Sequence, residues 1–356
     1  MVEPSSTLRE LGWDDGWHAL AQHASCPGIP GRVSRVDRGV CTVLTEHGPV
    51  RASWSGALLE AAAADTTEAP CTGDWCLVRC WPDGPVTVET VLERRTAVIR
   101  AEVSRSSRGQ VLVANIDVIA VVVALHPEPN LSRVERLLTL AWESGATPVI
   151  LLTKADLVRD AAGVAEDVRA SCPGVDVIVC STVTGAGLDE LRTTLGPAGT
   201  LGLVGASGHG KSSLTNALVG TDVLVTKEIR DDGKGRHTSV RRELVTIPGG
   251  GAIIDTPGLR SVGLQRAEEG LAATFPDVDA FTERCKFRDC SHEREPGCAV
   301  REAVARGELS QRRFESWLRL GRELARMEAR ADARLRAELL KKSKQATQQL
   351  RQRHRR

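Results

Sequence analysis

Residues 205–212 have the spacing of a phosphate-binding loop. The stretch Gly205-Ala-Ser-Gly-His-Gly-Lys-Ser212 fits the pattern G-x-x-x-x-G-K-S/T. An apolar run over 201–204 precedes it as a predicted buried strand, and a helical pattern follows from Ser213. Glycines let backbone N–H groups turn toward phosphate oxygens, and the positive end of the following helix adds to that attraction. The pattern predicts a nucleoside triphosphate site, and this context disfavours the alternative of a plain glycine turn.

The residues of this loop have different expected roles. Lys211 should reach the β- and γ-phosphates, and the Ser212 hydroxyl should hold Mg²⁺. We expect the His209 side chain to point away from the phosphates and assign it no role of its own. The predicted phosphate-binding residues are Gly205, Ala206, Ser207, Gly208, His209, Gly210, Lys211, Ser212 and Ser213.

Two later motifs complete a predicted magnesium site. Asp255-Thr-Pro-Gly258 follows an apolar strand over 252–254. That spacing suits an aspartate that binds Mg²⁺ through water and a Gly258 N–H that meets the γ-phosphate. Thr238, within Gly235-Arg-His-Thr-Ser, is placed to complete the coordination of Mg²⁺. The three motifs in this order predict transfer of a γ-phosphoryl group with Mg²⁺ as cofactor.

A fourth motif indicates which base is bound. Thr153-Lys154-Ala155-Asp156 follows a predicted strand over 147–152. The Asp156 carboxylate can accept hydrogen bonds from N1–H and the 2-amino group of guanine, a donor pair that adenine lacks. The stem of Lys154 can lie flat on the base, and the backbone N–H groups of Ser181-Thr182 could meet the guanine O6. The competing interpretation is that Asp156 caps the following helix.

A cluster of cysteines and one histidine predicts a metal site. Cys285, Cys290, His292 and Cys298 have the spacing C-x4-C-x-H-x5-C. Three thiolates and one imidazole can close a tetrahedral zinc site that leaves no position for water. We therefore expect one structural Zn²⁺, which would supply folding energy to a segment too small for its own core.

The segments around these motifs alternate between strand and helix patterns. Strands are expected within 111–125 and at 147–152 and 175–180, and helices at 131–144, 157–171 and 188–195. Such alternation is typical of a doubly wound parallel sheet, whose ligands lie at the carboxyl ends of the strands. GTPase domains usually place the phosphate loop before the base-binding motif, whereas here the base-binding half comes first. The same sheet can form if its ends are joined differently, so we predict a circularly permuted GTPase domain.

The first hundred residues predict a different architecture. Residues 29–100 contain about five short alternating strands separated by Gly, Pro and Asp turns, which fits a barrel of the OB-fold kind. Trp54 and Trp81 could stack bases, although tryptophans in strands more often belong to the core. Cys76 and Cys80 fall on one face of a strand, so we expect buried free thiols there and at Cys71.

Charge and composition set the remaining expectations. Residues 301–356 carry 17 basic and 7 acidic residues although the whole chain has a net charge of +1. The basic end suits phosphate backbones, with a plain solvated tail as the alternative. No secretory signal or membrane-spanning run is evident, so we expect a cytoplasmic protein that binds no membrane and whose ten cysteines are reduced. We also expect a monomer. The expected parts are a lead-in over 1–28, an OB-fold over 29–100, the permuted GTPase domain over 101–265, a zinc-binding and mostly helical domain over 266–340, and a basic tail over 341–356.

Taken together, the motif order, the preceding barrel and the following cysteine cluster resemble the small-ribosomal-subunit-dependent GTPases of bacteria, the RsgA/YjeQ-like family. The resemblance covers about residues 30–330 and depends on GASGHGKSSL, GRHTS, DTPG, TKAD and CKFRDCSHEREPGC. It implies an N-terminal OB-fold, a permuted GTPase core and a zinc-binding helical domain. It also implies late maturation of the small ribosomal subunit, with binding to its rRNA and GTP hydrolysis stimulated by that subunit.

This sequence departs from the usual GTPase pattern at several positions. Thr153 stands where an asparagine is common, which would weaken the tie between base loop and phosphate loop. His209 occupies a position that is usually apolar. Some related GTPases hold K⁺ with an asparagine in the phosphate loop, and because Gly208 stands at that position here, potassium activation is not supported. Leu259 replaces a glutamine that orients water in many GTPases, so slow intrinsic hydrolysis is expected and His237 becomes the candidate for that role.

The most direct hypothesis is a Mg²⁺-dependent enzyme that hydrolyses GTP to GDP and phosphate. Lys211, Thr238 and His237 are its expected catalytic residues. Two other hypotheses stay open: an RNA-binding assembly module with a vestigial GTPase, and a signalling GTPase with a protein partner. The intact Lys211 and Ser212 argue against the first of these alternatives.

Overall fold

The computed structural model describes residues 5–24, 26–100, 109–220, 242–255 and 268–326, with the backbone alone at Asp255 and Glu268. Several sequence-predicted features lie outside these ranges. They are His237, Thr238, Gly258 and the basic tail. Across the described part of the chain, no helix is both long enough and apolar enough to cross a membrane.

Two short helices and a closed barrel form the first part of the described chain. The helices are α1 (Ser6–Glu10) and α2 (Asp15–His23). The barrel strands are β1 (Ile29–Asp37), β2 (Val40–Thr45), β3 (Gly48–Trp54), β4 (Trp75–Cys80) and β5 (Val86–Val91). They pair in the order β1-β2-β3-β5-β4, β4 closes against β1, and α3 (Gly56–Ala64) follows β3. The predicted OB-fold barrel is confirmed.

The interior of the barrel corrects one expectation about the cysteines. Cys71 and Cys76 are buried, as the alternation of the strand predicts, but Cys80 is exposed. Burial along β4 stops before Arg79, since the last two residues of the strand extend past the packed interior toward the turn at 82–84. The prediction of a buried thiol at Cys80 was therefore wrong.

A six-stranded sheet lies in the middle of the described chain. A hairpin of β6 (Ala97–Arg100) and β7 (Gln110–Ala114) leads into it. The sheet strands are β8 (Val118–Ala124), β9 (Thr147–Thr153), β10 (Asp176–Val179), β11 (Thr200–Gly205), β12 (Glu243–Thr246) and β13 (Ala252–Asp255). Their order is β10-β9-β8-β11-β13-β12, parallel except for the edge strand β12. The connecting helices are α4 (Leu131–Glu143), α5 (Ala161–Ser171), α6 (Leu188–Leu195) and α7 (Lys211–Val219).

Helix α5 begins later than the sequence pattern predicts. A 3-10 turn spans Ala155–Leu157, and the helix starts only at Ala161. Its cap is Asp160, whose carboxylate accepts the Gly163 N–H at 2.8 Å. Because Asp160 fills that role, the alternative that Asp156 caps this helix is wrong.

The C-terminal part of the described chain is helical around the cysteine cluster. Its helices are α8 (Glu268–Thr274), α9 (Pro276–Thr282), α10 (Ala299–Ala305) and α11 (residues 311–326). Helix α10 ends before Gly307, which adopts φ +74°, a conformation that favours glycine. Phe314 and Leu324 on α11 are buried in the same apolar core as α4.

Two contacts attach the barrel to opposite ends of the sheet. Arg32 of β1 is buried and donates to the carbonyls of Leu11, Gly73 and Asn115, so it joins the lead-in, the barrel and the entrance to β8. Burial lowers the pKa of Arg32 to about 10, and nearby Asp117 and Asp74 oppose that shift. The second contact is the Thr72 hydroxyl, which donates to the Arg242 carbonyl at 3.3 Å, directly before β12.

A buried ionic network attaches the C-terminal helices to α4. Glu135 of α4 is fully buried, and its carboxylate accepts hydrogen bonds from Arg312 and Arg313 at 2.9 to 3.1 Å. Arg313 also binds the Asp277 carboxylate and the carbonyls of Ser171 and Thr274, so all five of its N–H groups are used. We call this set the Glu135–Arg313 network.

Replacing Arg313 by methionine should strongly destabilise the fold. The substitution leaves the Glu135 carboxylate buried with its charge only partly compensated, which typically costs about 3–5 kcal/mol. Urea unfolding followed by circular dichroism measures this loss of unfolding free energy. Arg136→Met is the matched control, because Arg136 pairs with Glu323 across the same two helices at a more exposed position. It should cost less than about 1 kcal/mol; equal losses in the two variants would contradict this role of the buried network.

Candidate nucleotide site and zinc-binding cluster

The predicted phosphate loop lies between β11 and α7, at the carboxyl edge of the sheet. Gly205, Gly208 and Gly210 have φ values of +155°, +78° and +89°, a region that side chains disfavour. A Cβ on Gly205 would lie 2.4 Å from the Val122 carbonyl oxygen of the neighbouring strand. Glycine is therefore required at the start of the loop, where the backbone passes closest to β8.

Lys211 is the first residue of α7 and folds back over the loop. Its Nζ donates to the carbonyls of Gly205 at 3.0 Å and Ala206 at 2.8 Å. Ser212 follows in the first turn of the helix, whose N-terminus carries partial positive charge. The Lys211 ammonium and the helix N-terminus thus lie at the same stretch of backbone, whose positive charge suits an anion such as a triphosphate.

The phosphate loop is tied to the base-binding loop through Thr153. This residue ends β9 and is almost fully buried. Its hydroxyl donates to the His209 carbonyl at 2.7 Å. The tie is thus present in this chain, where the threonine hydroxyl makes it. The His209 ring turns toward β8, with Nδ1 3.0 Å from the Val122 carbonyl oxygen.

Asp156 is held by a serine from the next strand. The Ser181 hydroxyl donates to the Asp156 carboxylate and accepts the N–H groups of Val183 and Thr184 at 3.2 and 3.3 Å. The Ser181 N–H donates to the Ala186 carbonyl. It is therefore not available for the guanine O6, contrary to the prediction for this residue. Sequence reasoning missed the hydroxyl contact, because it joins residues 25 positions apart and no local pattern marks it.

The backbone around Asp156 is also constrained. Lys154 has a left-handed conformation, with φ +62°, which is uncommon for a residue other than glycine. The next N–H, that of Ala155, donates to the Cys180 carbonyl at 3.2 Å. The carboxyl ends of β9 and β10 are thereby joined, and Asp156 lies directly after that junction.

Asp255 ends β13, where its backbone pairs with Leu203 of β11. This register places it at the edge of the sheet that carries the phosphate loop. His237, Thr238 and Gly258 belong to the part of the chain that the structure does not describe. The described nucleotide site therefore comprises the phosphate loop, the base-binding loop and the Asp255 backbone.

The three cysteines and the histidine of the C-terminal motif come together. One ligand atom from each of Cys285, Cys290, His292 and Cys298 lies within 4.8 Å of all the others. His292 Nδ1 is 3.6 Å from Cys285 Sγ and 3.5 Å from Cys298 Sγ, and the two sulfurs are 4.0 Å apart. With Zn–S near 2.3 Å and Zn–N near 2.0–2.1 Å, tetrahedral zinc places its ligands about 3.5–3.8 Å apart. The cluster could therefore hold one zinc ion through Nδ1 of the histidine.

The surroundings of the cluster orient these ligands. The His292 ring packs edge-on against Trp317 of α11, with 5.1 Å between ring centres. Burial lowers the pKa of His292, which favours the neutral imidazole that a metal requires. The Lys286 N–H donates to the Gly297 carbonyl at 3.2 Å and closes the loop between the first and last cysteines.

We predict one equivalent of zinc per chain, measured by metal analysis of purified protein. Cys290→Ser and Cys298→Ser should each lose most of this zinc and lower the melting temperature, because metal binding contributes to folding of the loop. Cys80→Ser, at an exposed thiol outside the cluster, should retain the zinc. A wild-type protein that carries no zinc and melts at the same temperature after zinc is added would contradict the assignment.

Comparisons with known proteins agree with this architecture. A family model described as RsgA GTPase matches residues 91–265. The "Small ribosomal subunit biogenesis GTPase RsgA" of Streptomyces coelicolor is 48% identical over 345 residues, which are 95% of this chain and 92% of that protein. A protein of the same name from Opitutus terrae is 39% identical, with 92% of each chain covered.

Solved structures are similar over most of the chain. YjeQ from Thermotoga maritima has a TM-score of 0.63 and 25% identity, covering 83% of this chain and 98% of its own. YloQ, described as a circularly permuted GTPase, has a TM-score of 0.58 and 26% identity, covering 86% and 98%. With a phosphate loop placed after the base-binding loop in the same sheet, this chain belongs to the RsgA family of circularly permuted GTPases and is a GTP-hydrolysing enzyme.

Proposed function

We propose that this GTPase acts in late maturation of the small ribosomal subunit, that it binds the rRNA of that subunit, and that the subunit stimulates its GTP hydrolysis. The observation that carries the proposal is the near full-length similarity to relatives named small ribosomal subunit biogenesis GTPases. The combination of barrel, permuted GTPase sheet and Cys₃His cluster supports it. We propose the cytoplasm as the place of action and a monomer as the acting form.

In the proposed complex, GTP lies across the carboxyl edge of the sheet. Asp156 accepts the guanine N1–H and 2-amino groups while the Ser181 hydroxyl holds the carboxylate in place. Lys211 binds the β- and γ-phosphates, and Ser212 holds Mg²⁺. Thr238 would complete the coordination of Mg²⁺, Asp255 would bind the ion through water, and the Gly258 N–H would meet the γ-phosphate. A zinc ion held by Cys285, Cys290, His292 and Cys298 would have a structural role only, since protein groups would fill its four positions.

Hydrolysis needs a group that orients the attacking water. Leu259, after the Asp255-Thr-Pro-Gly258 motif, has no polar atom for this purpose. We propose His237, next to the proposed magnesium ligand Thr238, as that group in the complex with the small subunit. A catalytic group supplied or ordered from outside is worth about 10³–10⁵ in rate among related phosphoryl-transfer enzymes.

One face of the barrel is suited to rRNA. OB-folds bind oligonucleotides with the β1–β2 and β4–β5 loops, among other surfaces. Arg35, Arg38 and Arg51 line a cavity of about 550 Å³ near the β1–β2 turn, together with Asp37, whose carboxylate pairs with Arg35 and Arg51 at 3.0 Å. Trp81, before the β4–β5 turn, is 40% exposed and lies under the Arg79 guanidinium at 3.8 Å. Guanidinium groups for phosphates and an exposed indole for stacking are the chemistry of single-stranded RNA binding.

Replacing Asp156 by asparagine should weaken GTP binding by about 100-fold or more, because the amide is uncharged and its NH₂ group cannot accept from the second guanine donor. Xanthosine triphosphate should bind the variant better than GTP, since its 2-oxo group can accept from the asparagine amide. Competition against a fluorescent guanine nucleotide measures both affinities. Asp160→Asn is the control, as Asp160 caps α5 on the same loop and asparagine caps helices equally well. Unchanged GTP affinity in the Asp156 variant would remove the base-recognition role.

Small ribosomal subunits should accelerate GTP hydrolysis by this protein by at least about 100-fold, and large subunits should not. Phosphate release, measured against subunit concentration, gives the maximal rate and the half-saturating concentration. His237→Ala should lower the maximal rate. Trp81→Ala should instead raise the half-saturating concentration about fivefold or more, because a stacked base is lost.

Leu59→Ala serves as the control for the barrel surface, since Leu59 on α3 is also an exposed apolar side chain, at 50% exposure against 40% for Trp81. It should change neither quantity by more than about twofold. Stimulation by neither subunit would contradict the proposed partner, and a full maximal rate in His237→Ala would remove the proposed role of that histidine.

A further inference from the structure

His209 joins the phosphate loop to two neighbouring strands. Its backbone carbonyl accepts the Thr153 hydroxyl at the end of β9. Its ring nitrogen Nδ1 lies 3.0 Å from the Val122 carbonyl oxygen of β8. A single loop residue is therefore fixed through its backbone on one side and through its side chain on the other.

The chemistry of the second contact determines the state of the ring. A carbonyl oxygen only accepts hydrogen bonds, so Nδ1 must carry the proton that is donated to Val122. Burial lowers the pKa of His209, while the hydrogen bond to the Val122 carbonyl acts against that shift. The ring therefore presents a donor at Nδ1 to β8.

The position of this residue in the loop gives the contact its importance. His209 lies between Gly208 and Gly210, which both have left-handed backbone conformations. Glycines are the residues that lose most conformational freedom when a structure is ordered. An anchor between two of them restricts the stretch whose N–H groups must face the phosphates. An apolar side chain could fill the same space but would offer no directional bond to β8.

We propose that His209 is a positioning residue that fixes the phosphate loop in its binding conformation and thereby sets the affinity for GDP and GTP alike. The inference rests on the proposed nucleotide site. The side chain does not itself touch the nucleotide, because its Nδ1–H is directed to the Val122 carbonyl beneath the loop. Its effect passes through the loop backbone at residues 208–210, which would lie against the phosphates common to both nucleotides.

The test compares donor-free and donor-retaining variants of the full-length, zinc-loaded protein. His209→Leu keeps the bulk of the side chain and removes the donor. His209→Asn places an amide N–H at the same distance along the side chain as Nδ1. Isothermal titration with GDP and with a non-hydrolysable GTP analogue, each with Mg²⁺, gives both the Kd and the number of sites. We expect His209→Leu to raise both Kd values by the same factor, about three- to tenfold, and His209→Asn to stay within about twofold of wild type.

The stoichiometry separates positioning from general damage to the fold. A purely structural role would reduce the number of binding-competent molecules in His209→Leu and leave the Kd unchanged, and that result would overturn the proposal. The proposal would also be overturned if His209→Asn bound the nucleotides as weakly as His209→Leu, since the donor would then be irrelevant. Should His209→Leu not fold, His209→Val is the second donor-free variant, with the same expectation and the same contrary outcome. If the wild type fails to bind guanine nucleotides, the nucleotide site itself is overturned. If every variant binds them as the wild type does, only the role of His209 is overturned.

Discussion

The parallel pairing of β11 with β8 on one side and β13 on the other is the constraint on which the site depends. It places Gly205 opposite Val122 and Leu203 opposite Asp255. Segments far apart in the chain therefore end at one edge of the sheet, where a triphosphate and its magnesium ion can meet all of them. The order of the strands along the chain is free to change as long as this register is kept, which is why a permuted connection supports the same chemistry.

Two buried arginines join the other parts of the molecule to this sheet. Arg32 lies where the lead-in, the barrel and the entrance to β8 meet, and Arg313 lies where α4 meets the C-terminal helices. Each makes several charge-assisted or carbonyl hydrogen bonds that are shielded from solvent, so sliding either part would leave a buried charge without its partners. The barrel and the zinc-binding cluster are thus held at defined places relative to the nucleotide site.

Local sequence patterns predicted most of the architecture, and contacts across the chain account for what they missed. The phosphate loop, the strand–helix alternation and the Cys₃His spacing each depend on neighbouring residues, so the sequence alone could indicate them. The start of α5 depended on which of two aspartates caps it, and propensity does not distinguish Asp156 from Asp160. The Ser181 hydroxyl on Asp156 and the Glu135–Arg313 network join residues 25 and 178 positions apart. No periodicity in the sequence marks such pairs, because they exist only once the sheet and its helices have packed.

The contact between Thr72 and the Arg242 carbonyl has a mechanical consequence. Only three residues separate Arg242 from Thr238, the proposed magnesium ligand. Because the Thr72 hydroxyl donates to the Arg242 carbonyl, a displacement of the Arg242 backbone would act on the barrel through this hydrogen bond. The proposed magnesium ligand is thus four positions along the chain from one attachment of the barrel to the sheet, while Arg32 makes the other attachment.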